Sequence, residues 1–295
     1  MEIAMQTLDV ARAGHRLHVE VLPAEGVPVV LMHGFPDNVH LYDRLLPHLA
    51  GRVPVVRFDF LGWGRSDKPA GYPYTATNQT GDVSAVVDAV SRHLGSDQVV
   101  LVAHDASGPP AIDWALANPN RVAGLVLLNT YYDWTLRLRR PPAIALYSTP
   151  GLRAVARAVA RRWPAVDRRL YAWQVGGFIR DPEVRDPLVA QLYEQFLPAR
   201  PAFWRLNDDL LGTVLNRRRR VGELRRFAPS VRVIFGARDR YLNARVARRF
   251  AALFPHSDLH LLSDAGHYVQ VDQPRRVADL VLAGWHHATD TGYRS

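Results

Sequence analysis

Short runs of valine and leucine, each ending at a turn and followed by a segment of helical spacing, recur through the first third and the last quarter of the chain. Such runs occupy residues 15–22, 27–32, 53–60, 98–103 and 122–128, and the pattern returns at 231–235 and 259–262. Continuous apolar runs this short suit parallel strands covered on both faces. Between them, residues 82–94 place Val83, Val86, Val87 and Val90 at helical spacing, and 244–253 and 274–283 predict helices behind the last two strands. From residue 133 to 227 the pattern changes to helical, Arg-rich sequence. It is interrupted by Pro141, Pro142, Pro150, Pro164, Pro182, Pro187, Pro198 and Pro201, which predict turns and helix starts. Alternation, a helical insertion, then alternation again predicts an α/β fold whose mostly parallel sheet carries a cap. The expected division is a core over 1–132 and 228–295, with a helical cap over 133–227.

Composition narrows the classes. At 295 residues and 48% hydrophobic, the chain has apolar material for a full core, which excludes disorder and small disulfide-stapled folds. Length alone fits one domain with a large insertion or two domains. Cysteine is absent, so disulfides, thiolate metal sites and a Cys nucleophile are excluded. Residues 1–10 carry Glu2 and Asp9 and lack a basic-then-apolar signal pattern, which makes the cytoplasm the expected location. No uncharged apolar run approaches the roughly 18 residues of a transmembrane segment.

The net charge of +9 is localised. Between Trp134 and Phe227 there are 19 Arg against 8 Asp and Glu, a local net of +11, while the rest of the chain carries −2. Arg153, Arg157 and Arg161 recur at i, i+4, i+8 on one helix face, and Arg217–Arg220 form a second run. Lys68 is the only lysine, so a bias toward arginine codons explains part of the excess. The functional alternatives are a surface for an anionic substrate, an acidic carrier protein or a membrane face. Neither run interleaves aromatics as a single-strand platform does, so a nucleic-acid partner is not expected.

Residues 99–108 are the most informative stretch. An apolar run ends in Ala103-His104-Asp105-Ala106-Ser107-Gly108, with small residues two positions either side of Asp105. A tight strand–turn–helix elbow clashes with bulky residues there, so this frame presents Asp105 as the nucleophile. A frame centred on Ser107 fails, because it puts Asp105 and Pro109 at the small positions. Pro109 and Pro110 instead suit the first turn of the following helix. Asp239 follows the run at 231–235, and His267 follows the run at 259–262. Nucleophile, acid and histidine thus come in that order, each at the C-terminal end of a strand, where open α/β sheets gather catalytic groups.

With these residues in place the chain resembles the α/β-hydrolase fold superfamily over nearly its whole length. His33-Gly34-Phe35-Pro36 is similar to the family's oxyanion-loop motif, and Asp59-Phe60-Leu61-Gly62-Trp63-Gly64-Arg65-Ser66 to its D-x-x-G-x-G-x-S loop. An Asp nucleophile preceded by His resembles the branch of epoxide hydrolases and haloalkane dehalogenases. The resemblance implies a mostly parallel sheet with a cap inserted after the sixth strand. It also implies an alkyl ester on Asp105, water activated by His267 and Asp239, and an oxyanion hole from the backbone N–H groups of Phe35 and Ala106. No metal or organic cofactor is required for that chemistry, and the substrate it implies is a small, largely apolar molecule.

The leaving group separates two readings. A departing alkoxide needs a proton, which the resemblance assigns to cap tyrosines; Tyr147, Tyr171 and Tyr193 are the candidates. A departing halide needs donors such as indole N–H. Dehalogenases of this kind typically carry Trp after the nucleophile and Asn or Glu after His-Gly, where this chain has Ala106 and Phe35. The same Trp is common in epoxide hydrolases, so Ala106 departs from both. Residues 192–198 resemble a dehalogenase cap segment, and Trp134, Trp163, Trp173 and Trp204 are possible cap donors, with Trp173 grouped with the tyrosines in the expected binding site. An Arg soon after the nucleophile, as in fluoroacetate-type dehalogenases, is absent from Ser107-Gly108-Pro109. Epoxide opening is the favoured expectation and carbon–halogen hydrolysis the alternative. Other chemistry on an ester-like substrate, or a relative that only binds or remodels its ligand, is a further possibility.

Overall fold

The computed structural model describes residues 5–133 and 139–292. Eight strands form one sheet in the order β1-β2-β4-β3-β5-β6-β7-β8. They are β1 Gln6–Arg12, β2 His15–Leu22, β3 Val29–Met32, β4 Val55–Phe58, β5 Val99–Asp105, β6 Val122–Thr130, β7 Val231–Gly236 and β8 Ser257–Leu262. From β4 to β8 every pairing is parallel; β2 runs antiparallel to both β1 and β4. β3 and β4 are buried at all four positions, as runs covered on both faces should be.

β1 lay outside the predicted strands. It is an edge strand with one buried residue, Val10, and so has no continuous apolar run to betray it. Ala13 and Gly14, both at positive φ, turn it into β2, the two-residue geometry that suits hairpin twist.

The core helices are α1 Leu46–Leu49, α2 Ala76–Leu94 and α3 Gly108–Ala117 before the insertion, and α10 Ala244–Ala251, α11 Val269–Asp272 and α12 Pro274–Gly292 after it. Thr75 caps the N-terminus of α2 through its side chain, and Gly95 in the left-handed region ends it. The helix therefore starts six residues before its apolar periodicity becomes visible.

Between β6 and β7 the chain forms α4 Pro142–Ser148, α5 Leu152–Arg162, α6 Pro164–Gly176, α7 Pro182–Asp208, α8 Leu210–Arg218 and α9 Val221–Leu224. Pro142, Pro164 and Pro182 stand in the first turns of their helices, as expected. Pro187, Pro198 and Pro201 do not break the chain; all three lie inside α7. An internal proline costs a helix about 3 kcal/mol. Burial of Leu192, Tyr193, Phe196, Ala199 and Phe203 along one side of α7 offsets that cost, at roughly 1.5–3 kcal/mol per large side chain.

Ion pairs join the insertion to the sheet unit. Asp113 on α3 accepts from Arg217 Nε at 2.9 Å and Nη2 at 2.8 Å, from Arg220 Nη1 at 2.7 Å and from the Tyr132 hydroxyl at 2.7 Å. Asp272 on α11 accepts from Arg180 N–H at 2.9 Å and Gly266 N–H at 2.7 Å. Among the described residues, no helix is long and apolar enough to cross a membrane.

Candidate active site

Asp105 is the last residue of β5, and its φ of +49° puts a non-glycine residue in the left-handed region. That conformation costs on the order of 1–3 kcal/mol and persists only where the surroundings enforce it. The enforcing contacts are visible. Ser107 Oγ accepts the His104 N–H at 2.9 Å and sits 2.8 Å from the Met32 carbonyl and 2.7 Å from that of His104. Ser107 is fully buried, so its hydroxyl braces the turn. Thr130 donates to the Asp105 carbonyl, and a side chain at Gly108 would collide with Thr130. A Cβ at Gly34 would lie 2.8 Å from Asp105 Cβ, so the oxyanion-type loop approaches the carboxylate only because position 34 is glycine.

The backbone N–H groups of Ala106 and Phe35 lie near enough to the Asp105 carboxylate to favour its charged form. Burial raises the pKa of this carboxyl, against the opposing pull of His267 and of those N–H groups. His267 Nε2 lies 3.8 Å from Asp105 Oδ1, and its Nδ1 pairs with Asp239 Oδ2 at 2.7 Å. Asp239 is held in turn by the N–H groups of Tyr241 at 2.8 Å and Leu242 at 3.0 Å, and by Asn129 Nδ2 at 2.7 Å. Burial alone would raise its carboxyl pKa, but the His267 charge and hydrogen bond, and then the Tyr241 and Asn129 bonds, keep it below the ordinary value. Burial would lower the His267 pKa, but Asp239, then Asp105 and Asp37, outweigh it and raise it to about 9.

The two loop motifs serve as scaffold. Asp59 accepts from Val39 N–H at 2.9 Å and Arg65 N–H at 2.8 Å, and His33 Nε2 lies 3.5 Å from Asp59 Oδ1. They thereby brace the 33–37 loop from behind. His104 is buried, and its Nε2 lies 3.1 Å from the His267 carbonyl.

A cavity of about 220 Å³ opens onto Asp105 and His267. Leu170, Val175, Phe178, Phe196, Phe203 and Leu206 supply apolar wall from the insertion, and Phe35 and Ala106 close the floor. Tyr147 and Tyr171 line it. The Tyr147 hydroxyl is engaged with Asp167 at 3.2 Å, whereas the buried Tyr171 hydroxyl has no hydrogen-bond partner among the described residues. Tyr193 is buried but does not line the cavity; its hydroxyl points to Asp167 at 3.4 Å. Trp173 faces outward, 62% exposed, and Trp163 is exposed as well. Trp204 is buried against Tyr147 outside the lining. Trp134 lies outside the described residues. Two of the four expected binding residues therefore line the cavity, and Tyr193 and Trp173 do not.

Three residues escaped the sequence reading. Asn129 at the end of β6 joins Asp239 to the Gly236 N–H. Asp37, one residue past His33-Gly34-Phe35-Pro36, is buried, lines the cavity and accepts from the Tyr268 hydroxyl at 2.6 Å. Burial, with the Asp105 charge, raises its pKa to about 7 against the Tyr268 hydrogen bond. Tyr131 lines the cavity close enough to Asp105 for that charge, after burial, to raise its pKa. Asp37 had a signal in its adjacency to the loop motif; Asn129 and Tyr131 had none.

A family profile for the alpha/beta hydrolase fold matches residues 27–274. Haloalkane dehalogenase 2 of Mycobacterium tuberculosis is 28% identical over 267 residues, 87% of each chain. A cis-3-alkyl-4-alkyloxetan-2-one decarboxylase of Xanthomonas campestris is 26% identical over 274 residues, 85% of each. Among solved structures, the haloalkane dehalogenase DatA of Agrobacterium tumefaciens superposes with a TM-score of 0.76 at 21% identity, covering 96% of this chain and 97% of its own.

Proposed function

The chain belongs to the α/β-hydrolase fold family and is a hydrolase of that family; within it, we propose that Asp105 is a nucleophile that opens an epoxide to a diol through a covalent ester. The observation that carries this reading is the buried Tyr171 hydroxyl, unpartnered among the described residues, in the wall of the cavity that holds Asp105 and His267. Among the described residues, no tryptophan lines that cavity. A phenol can give a proton to a departing alkoxide, and the described indole candidates Trp163, Trp173 and Trp204 lie outside the lining.

In the first step an Asp105 carboxylate oxygen attacks the ring carbon, the C–O bond breaks, and Tyr171 gives its proton to the oxygen that leaves. Esterification removes the Asp105 charge, one of the charges that hold the proton on His267. The histidine pKa then falls and its Nε2 proton passes, through solvent, to the Tyr171 phenolate, which restores the phenol and leaves His267 a base when a base is needed. His267 Nε2 takes a proton from water, whose oxygen attacks the ester carbonyl, while Asp239 steadies the imidazolium. The N–H groups of Phe35 and Ala106 stabilise the tetrahedral oxyanion. Its collapse frees the diol, which takes a proton from His267, and leaves the water oxygen on Asp105 as a carboxylic acid, whose proton returns to His267 and restores the starting state.

Carbon–halogen hydrolysis is the second reading. It is favoured by the haloalkane dehalogenase relative and uses the same ester and the same water step. The residue at 35 and the cavity wall favour the first. Incubating the protein with styrene oxide and with 1-bromohexane, and measuring diol and bromide, tests the choice. Diol formation without bromide release supports epoxide opening, and bromide release alone overturns it.

A further inference from the structure

Every large hydrophobic side chain that is strongly exposed among the described residues belongs to the helical insertion: Leu152, Val155, Trp163, Val166, Trp173, Leu197, Leu211 and Leu215. The sheet unit contributes none. Four of the eight fall in the two consecutive helices α5 and α6, and a fifth, Trp163, is the residue that joins them. On α6, Val166, Arg169 and Trp173 recur at i, i+3 and i+7 and are all exposed, so they form one stripe. On α5, Leu152, Val155 and Arg162 form a similar exposed series.

The charge on this surface has one sign. Between Leu152 and Trp173 there are six arginines, and the single acid, Asp167, is buried against Arg200 at 2.6 Å. Arg153 and Arg157 are paired with Asp208 at 3.0 Å and 2.6 Å. Arg161, Arg162, Arg168 and Arg169 are exposed and have no carboxylate partner among the described residues. The pairs through Asp208 hold α5 against the end of α7, and the next helix, α8, supplies Leu210, Leu211 and Val214 to the wall of the cavity. The basic, apolar surface thus adjoins the segment that contains the exposed, cavity-lining Leu211.

From this combination we infer that α5 and α6 form a docking surface for an anionic lipid bilayer, with Trp163, Trp173, Leu152 and Val155 entering the interface and the four arginines that lack a carboxylate partner among the described residues meeting the headgroups. Exposed Trp and aliphatic side chains among arginines are what an interfacial helix presents to a membrane. An acidic protein would satisfy the charge but gives no reason for exposed aliphatic side chains on the same stripes. The apolar cavity fits a substrate drawn from lipid.

Sedimentation of the full chain with vesicles tests the inference, comparing pure phosphatidylcholine with equal parts phosphatidylcholine and phosphatidylglycerol. Binding to the mixed vesicles and little to the neutral ones is expected. Each arginine near an anionic surface contributes about fivefold, so Arg162→Glu with Arg169→Glu should lower partitioning at least about twentyfold. Trp163→Ser with Trp173→Ser should lower it as well, with the circular dichroism melt showing that both variants fold. Equal binding of wild type to the two vesicle types would overturn the inference, as would folded variants that bind like wild type. Soluble polyglutamate bound as tightly by wild type and by the Trp double variant would assign the surface to an acidic polypeptide and overturn it too.

Discussion

The sheet unit and the helical insertion treat their apolar and charged residues differently. In the sheet unit the central strands are buried outright and the polar side chains around Asp105 are locked by several bonds each, as Ser107, Asn129 and Asp239 are. In the insertion the helices bury one side against the cavity and leave tryptophan, leucine and arginine facing outward. The difference divides the work. Strained, tightly packed backbone holds the Asp105 carboxylate in one geometry, while helices joined to it by a few ion pairs supply much of the cavity wall.

The sharpest break of that contrast is at Asp105, the proposed nucleophile. Asp105→Asn should cost at least about 10⁴-fold in kcat with an unchanged melt, measured as initial rate of diol formation; a smaller loss would place the chemistry elsewhere. Next comes the joint between the two regions. Asp113→Ala leaves Arg217 nearly buried without its carboxylate and should cost about 3 kcal/mol, read by denaturant unfolding. Little change would mean that the insertion is held by apolar packing alone. Tyr171→Phe touches only the insertion's contribution and should lower epoxide turnover about 10²-fold while sparing any alkyl halide reaction. Equal losses on both would make Tyr171 a packing residue. The smallest effect concerns pH. Single-turnover decay of the ester should rise with pH through a midpoint below about 9, the value His267 holds while Asp105 is charged; a midpoint at or above it would contradict the proposed switch.

How much of this could be read in the residues follows the same division. The elbow announced itself through small residues at Ala103, Ser107 and Gly108, and Asp239 and His267 through the strands they follow; the fold brings all three functional groups together. A strand end fixes where a side chain emerges, so residue order carries the geometry. On the insertion it does not. Tyr171 and Trp173 are two residues apart on α6 and therefore about 200° apart around the axis, so one lines the cavity and the other faces outward. Which of them faces in depends on how α6 packs on α7, a long-range contact with no local signature. The prolines of α7 misled for the same reason, since burial of its apolar stripe overrides a local preference. Asn129 was invisible because its role exists only once β6 and β7 lie side by side.

The central claim is that Asp105 itself becomes esterified by an epoxide. His267→Gln should form that ester and fail to hydrolyse it, so the variant can be incubated with styrene oxide, digested and mapped by peptide mass spectrometry. A hydroxyalkyl adduct on Asp105, absent from the Asp105→Asn, His267→Gln double variant, is the predicted result. An adduct on another residue, or an unmodified Asp105 peptide, would contradict it.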